Sequence, residues 1–163
     1  MALTKVQGEG ISGVSISANN EITMSSQPAF LVRPDAQQAN IQHAETVAFA
    51  TETFDQNGDF SSNTFTAPVT GRYQLNINLR VDNIAVSGNY SRIELVTSNA
   101  TYSIGMIDAT NAFSASPGEW FFTGIVLADM DASDTAFLRW SQSGGGSTAD
   151  IETDSMFSGY LVC

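Results

Sequence analysis

The sequence predicts an all-β sandwich of antiparallel strands, and three observations carry that prediction. From Arg72 to Asp82 the residues alternate without a break: Tyr73, Leu75, Ile77, Leu79 and Val81 on one face, Arg72, Gln74, Asn76, Asn78, Arg80 and Asp82 on the other. Successive side chains on a strand point to opposite faces, so this is a half-buried strand with one wet side. Only 14% of the residues are charged, well below the roughly 25% of ordinary soluble domains. The hydrophilicity comes instead from Ser, Thr, Asn, Gln and Gly, which suit turns and exposed β-structure better than helices. Finally, short apolar segments recur at intervals of about 8–15 residues between turn residues, the rhythm of a sandwich.

Taken in order, Val14-Ser15-Ile16-Ser17 and Glu21-Ile22-Thr23-Met24 predict a small hairpin around Ala18-Asn19-Asn20. A lone two-stranded hairpin is marginal in water, so residues 1–26 read as a stem or arm and residues 27–163 as the head. Pro28-Ala29-Phe30-Leu31-Val32 predicts the first core strand, stopped at Pro34, with a polar loop or short helical turn over 35–46. Val47 to Phe54 predicts the next strand, and Asp55-Gln56-Asn57-Gly58-Asp59 a tight turn centred on Asn-Gly. Pro68 and Gly71 then punctuate the start of the alternating strand. Further strands are predicted over 90–97, 101–107, 119–128, 135–140 and 156–163, with no repeat, heptad pattern or long helix between them.

The segment from Trp120 to Leu127 is apolar on both faces. A sandwich strand in a monomer wets one face, so Trp120, Phe121, Phe122, Ile125 and Leu127 are candidates for a subunit interface, with cover by the stem or a loop as the alternative.

Charge and length exclude several functions. Six basic against seventeen acidic residues give a net charge of −11, which repels phosphate backbones and anionic membranes; no nucleic-acid partner and no membrane insertion are expected. No stretch approaches the roughly 20 apolar residues of a membrane-spanning helix. The segment from Met1 to Gly8 lacks the apolar run of a secretory signal; with Met1 as the natural start, synthesis in a cytoplasm is the expectation. With one cysteine, Cys163, there is no disulfide framework, and it reads as the small apolar end of a strand.

Catalytic chemistry finds little support. His43 is the only histidine and has no nucleophile motif beside it; it reads as a solvent-exposed loop residue. Gly144-Gly145-Gly146 has no following Lys to make a phosphate cradle. Asp129, Asp131 and Asp134 open like an oxygen-ligand loop and are weak candidates for calcium, although Trp140 stands where an EF-hand needs Glu. Asp150, Glu152 and Asp154 read either as a negative patch on the assembled protein or as a solvated, charged edge that blocks strand-to-strand aggregation. No enzyme, cofactor or confident metal site is expected.

Two motifs remain. Phe65, Pro68, Gly71 and Tyr73 stand at the spacing F-x-x-P-x-x-G-x-Y, and the chain closes on Phe157-Ser158-Gly159-Tyr160-Leu161. Together, with Pro28-Ala29-Phe30 ahead of them, they make residues 27–163 resemble the complement C1q-like globular head, within the tumour necrosis factor-like jelly-roll class. Ala67 stands where many relatives have Cys, and no collagen-like stalk is present in the sequence. The resemblance implies an antiparallel jelly-roll β-sandwich of about eight to ten strands, homotrimeric, with the short N-terminal β-stem before it. It also implies non-enzymatic binding through loops at the exposed end, with three copies adding avidity. Some relatives hold calcium near the trimer axis. The run from Glu9 to Pro28 is similar in style to the β-stems of phage tail-fibre and other virion appendage proteins. The expectation is therefore a trimeric head in a virion, joined to other virion proteins through residues 1–26 and contacting a host surface glycan or protein. A capsid-decorating trimer or a non-viral secreted C1q-like ligand are the alternatives.

Overall fold

The computed structural model describes residues 14–114, 118–146 and 148–163; expectations for residues 1–13 lie outside these. In chain order the elements are β1 (Val14–Ile16), β2 (Ile22–Met24), β3 (Ala29–Arg33), β4 (Thr51–Asp55), β5 (Phe60–Ser61), β6 (Thr64–Thr66) and β7 (Gly71–Ile84). There follow β8 (Gly88–Thr97), β9 (Thr101–Ile107), the helical turn α1 (Ala109–Ala112), β10 (Gly118–Met130), β11 (Thr135–Gly144), β12 (Asp150–Ile151) and β13 (Met156–Leu161).

Two antiparallel sheets face each other. In the front sheet the strands lie side by side as β10, β7, β13, β3 and β4, and β12 continues the line beside β7 beyond the end of β13. In the back sheet the order is β5, β6, β11, β8 and β9. The chain crosses between sheets repeatedly: β7 is in front, β8 and β9 behind, β10 in front, β11 behind, β13 in front. An antiparallel sandwich of this kind needs strands with one inward and one outward row of side chains. The alternation of β7 supplies it: Tyr73, Leu75, Ile77, Leu79 and Val81 are all buried.

The core is aromatic at both ends. Phe30 stacks on Phe65 (ring centroids 4.8 Å apart) and Phe60 (5.2 Å), and meets Phe157 edge-on at 5.1 Å. At the other end Phe122 packs edge-on against Trp140 at 5.9 Å. Both are offset or T-shaped arrangements that the ring quadrupole favours.

The hairpin of β1 and β2 pairs Val14 with Met24 and Ile16 with Ile22. Its turn is closed by Ser17, whose hydroxyl accepts from the Glu21 backbone N–H at 3.1 Å, and by Asn20 at positive φ. The hairpin is tied to the head through the Asn-Gly turn. The Gln56 side-chain amide donates to the Met24 carbonyl and that of Asn57 to the Ser26 carbonyl. In that turn Gly58 takes φ +74°, which a side chain would strain, and the Asp55 carboxylate accepts the N–H groups of Asp59 and Phe60.

Two readings need correction. The region 47–54 is not one strand: Thr46 bridges to Arg139 and Val47 donates to the Leu138 carbonyl, extending the back sheet, whereas β4 begins only at Thr51 in the front sheet. The pair β5–β6 was not foreseen. It is joined by Ser62 and Asn63, both at positive φ (49° and 64°), the geometry of a tight hairpin turn without its usual glycine.

Candidate functional site

The two motifs are architecture. Register places Tyr73 against Leu161 and Leu75 against Gly159 on β7 and β13. A side chain at Gly71 would meet the Leu161 Cδ1 at 2.6 Å and the Cys163 carbonyl oxygen at 2.7 Å. One at Gly159 would meet Leu75 at 2.6 Å and Phe30 at 2.8 Å. Each motif glycine is thus required by a residue of the other motif or of the core strand β3. Phe65, Tyr73 and Phe157 are fully buried, and the Tyr73 hydroxyl donates to the Val69 carbonyl at 2.7 Å. Pro68 follows the buried Ala67, whose N–H donates to the Asp134 carbonyl. Ser158 faces outward and its hydroxyl accepts from the Asn76 amide at 3.3 Å, while Tyr160 is 40% exposed.

The surface that stands out chemically is the outward face of the front sheet. On the edge strand β10, Phe121 (50% exposed), Ile125 (69%) and Leu127 (57%) point away from the core. Trp120, 42% exposed, leans edge-on against Phe113 at 6.1 Å. Phe122 is different: it is 1% exposed and packs on Trp140, so it belongs to the core and leaves the set of interface candidates. The pleat puts adjacent residues on opposite faces, and Phe122 takes the inward one.

Beside this apolar row lies a row of carboxamides. Ile125 is opposite Asn76, Leu127 opposite Gln74 and Thr123 opposite Asn78. Gln74 donates to Asn76 at 2.9 Å, whereas the Asn78 side-chain oxygen is buried with no hydrogen-bond partner among the described residues. A buried acceptor without a donor is costly and rare. At the far end Arg80 pairs with Asp82 (2.9 Å), Glu119 (3.0 Å) and Asp154 (3.7 Å). Burial raises the Asp82 carboxyl above its ordinary value; the Arg80 charge pulls it back, and Glu119, Glu152 and Asp154 push it further up.

The candidate calcium residues do not converge. The Asp134 carboxylate accepts the Asp131 N–H (2.9 Å) and the Asn99 amide (2.6 Å), Asp131 accepts from the Thr70 hydroxyl, and Asp129 lies across from Arg72. The Asp131 and Asp134 carboxylates serve as acceptors that close the turn, and among the described residues no three His, Cys, Asp or Glu side chains are grouped as metal ligands. The charged-edge reading fails at Asp150. This residue is 6% exposed, sits in β12 beside β7, and accepts the Asn40 N–H at 2.7 Å and the Asn83 side-chain amide. Its carboxylate anchors a loop and does not fringe an edge. His43 is exposed, and its Nδ1 accepts from the Gln142 backbone N–H at 3.2 Å. Cys163 is exposed and its carbonyl accepts the Arg72 N–H.

Comparison with known proteins agrees with this fold. The family model described as the C1q domain matches residues 29–162. The chain is similar to a solved structure of the globular domain of zebrafish complement 1qA protein, at 20% identity and a TM-score of 0.60, over 85% of this chain and 98% of that one. It is also similar to murine APRIL, at 6% identity and a TM-score of 0.56, over 84% of this chain and all of that one. Identities this low speak to the shared jelly-roll sandwich alone. No curated protein matches the chain by sequence.

Proposed function

The chain belongs to the C1q domain family, and from that premise we propose that it is the non-enzymatic head of a homotrimeric binding protein. Domains of this family commonly form trimeric binding heads. One observation carries the reading: the outward face of the front sheet combines exposed Phe121, Ile125 and Leu127 with an unpartnered Asn78 acceptor. Contiguous exposed apolar side chains mark a surface that is covered in the assembled protein. A second copy laid on this face would remove the apolar row from water and could bring a donor to Asn78. The opposite face, which carries the Arg92, Glu94 and Arg139 side chains, and the loops would then stay outward, available to a target.

At the finer level we propose that the head is carried on a virion appendage, a phage tail fibre or similar projection, and contacts a host surface glycan or protein. Support comes from the small β-hairpin of Val14 to Met24, fastened to the base of the head by Gln56, Asn57 and Gln27. Such an arm suits a joint to a neighbouring structural protein. Mass spectrometry of purified virions tests this level: the chain is expected among the structural proteins, and its absence would leave the non-viral secreted ligand as the reading. Binding of purified head to host cells, without turnover of any glycan, tests the coarser level.

A further inference from the structure

The outward face of the back sheet holds a second feature, independent of assembly. Register sets Arg139 of β11 opposite Glu94 of β8, and Ser141 opposite Arg92. Arg92 and Glu94 are two apart on one strand and so share a face. Glu94, buried at 6% side-chain exposure, accepts from the Arg92 guanidinium and from both Nε and Nη2 of Arg139 at 2.8 Å. Where β6 ends, the chain from Ala44 to Val47 takes its place along β11: Ala44 donates to the Trp140 carbonyl and Trp140 to that of Glu45, both at 2.9 Å. This brings His43 over the same face. Its Nδ1 accepts from Gln142, so the neutral ring carries its proton on Nε2 as a further donor. His43, Ala44, Arg92, Glu94, Arg139 and Ser141 line a cavity of about 250 Å³.

The donors outnumber the acceptors. Two guanidinium groups share one carboxylate; the Arg92 guanidinium also lies over the Tyr90 ring, 5.2 Å from its centroid, and its Nε is buried with no hydrogen-bond partner among the described residues. The local charge is positive on a chain of net charge −11, whose Arg80 by contrast is ringed by three carboxylates. We propose that this cavity binds the carboxylate of a small acid or of an acidic sugar, once per chain. Arg92 and Arg139 supply charge-assisted hydrogen bonds and His43 a neutral donor at the rim. The size is below the roughly 300–1,000 Å³ of cavities for drug-sized ligands, which fits one small acidic group. A single positive excess balances one negative charge. Glu94 in the wall repels a second, which favours carboxylate over doubly charged phosphate.

Calorimetric titration of the purified protein at low ionic strength tests this, using glucuronate, acetate, glucose and inorganic phosphate as probes. Glucuronate is expected to bind saturably at one site per chain, phosphate more weakly and glucose not at all. Tighter binding of glucuronate than of acetate would place the sugar ring in the cavity; equal binding would place the carboxylate alone, and both uphold the proposal. Arg139→Gln is expected to weaken glucuronate by about tenfold or more. Should that variant fail to fold, His43→Ala and Glu94→Gln decide. The first is expected to weaken binding several-fold. Glu94→Gln is expected to strengthen it, because the internal competitor for both arginines loses its charge; a merely structural ion cluster predicts no such gain. No saturable glucuronate binding, phosphate binding as well as glucuronate, or indifference to both His43→Ala and Glu94→Gln would overturn the proposal.

Discussion

The two sheets are built on the same rules yet show the solvent opposite chemistry. The front sheet turns out Phe121, Ile125 and Leu127 beside a row of carboxamides. The back sheet turns out Arg92, Glu94 and Arg139. Inward, both rows are apolar and packed, so the fold itself does not require the difference. An exposed apolar row gains by being covered, at roughly 25 cal/mol for each Å² removed from water. A cluster of charges loses by being covered, because desolvation offsets its attraction. On the proposed reading the front face serves assembly and the back face is left for recognition.

The sharpest way to break that assignment is a charge on the front face. Ile125→Asp, or Leu127→Asp, is expected to abolish the trimer while leaving the sheet structure of the single chain intact, as read by solution mass and far-ultraviolet circular dichroism. Retention of the trimer in both variants would reverse the assignment. Neighbouring residues on β10 sharpen it further. Phe122→Ala is expected to cost about 3–5 kcal/mol by opening a cavity against Trp140, whereas Phe121→Ser is expected to shift association and leave the unfolding free energy of the chain within about 0.5 kcal/mol. Urea denaturation of each variant in the Ile125→Asp background separates the two quantities. Equal losses would mean that β10 is not two-faced.

Gly159→Ala, in the packed interior beneath both faces, is expected to cost about 1–3 kcal/mol, since Leu75 and Phe30 must move to admit the methyl. The smallest effect is a pH dependence at the edge of the front face. Burial raises the Asp82 carboxyl, so its favourable contribution is present below the unfolded value of 3.8 and is lost as the pH rises through the folded one. The native chain should therefore gain stability relative to Asp82→Asn as the pH falls from 7 towards about 4. Melting temperatures of both proteins across that range check the sign; a gap that moves the other way contradicts it.

How much of this could be read from the sequence follows from how local each signal is. The strand β7 was legible because burial on one side imposes a period of two on eleven consecutive residues, Arg72 to Asp82. Gly71 and Gly159 were legible as motif positions, but the close approach of Leu161, Leu75 and Phe30 that requires them is tertiary. The doubly apolar run of β10 was equally visible. Which of Phe121 and Phe122 faced out was not, because that depends on the pairing with β7 and the irregularity between Gly118 and Trp120. The turn at Ser62 and Asn63 lacks the Asn-Gly pair that marks a hairpin, so β5 and β6 left no sign. The Arg92–Glu94–Arg139 cluster joins residues 45 apart in sequence, and only strand register brings them together. Asp150 misled because acidic residues alternating beside glycines look like an exposed edge, whereas its partners Asn40 and Asn83 lie far along the chain.

The central claim is that the front face is covered by identical copies. Sedimentation equilibrium of the purified chain tests it most directly: the account predicts three times 17.4 kDa, falling to one chain in Ile125→Asp. A native protein that remains at 17.4 kDa across the accessible concentration range would contradict it.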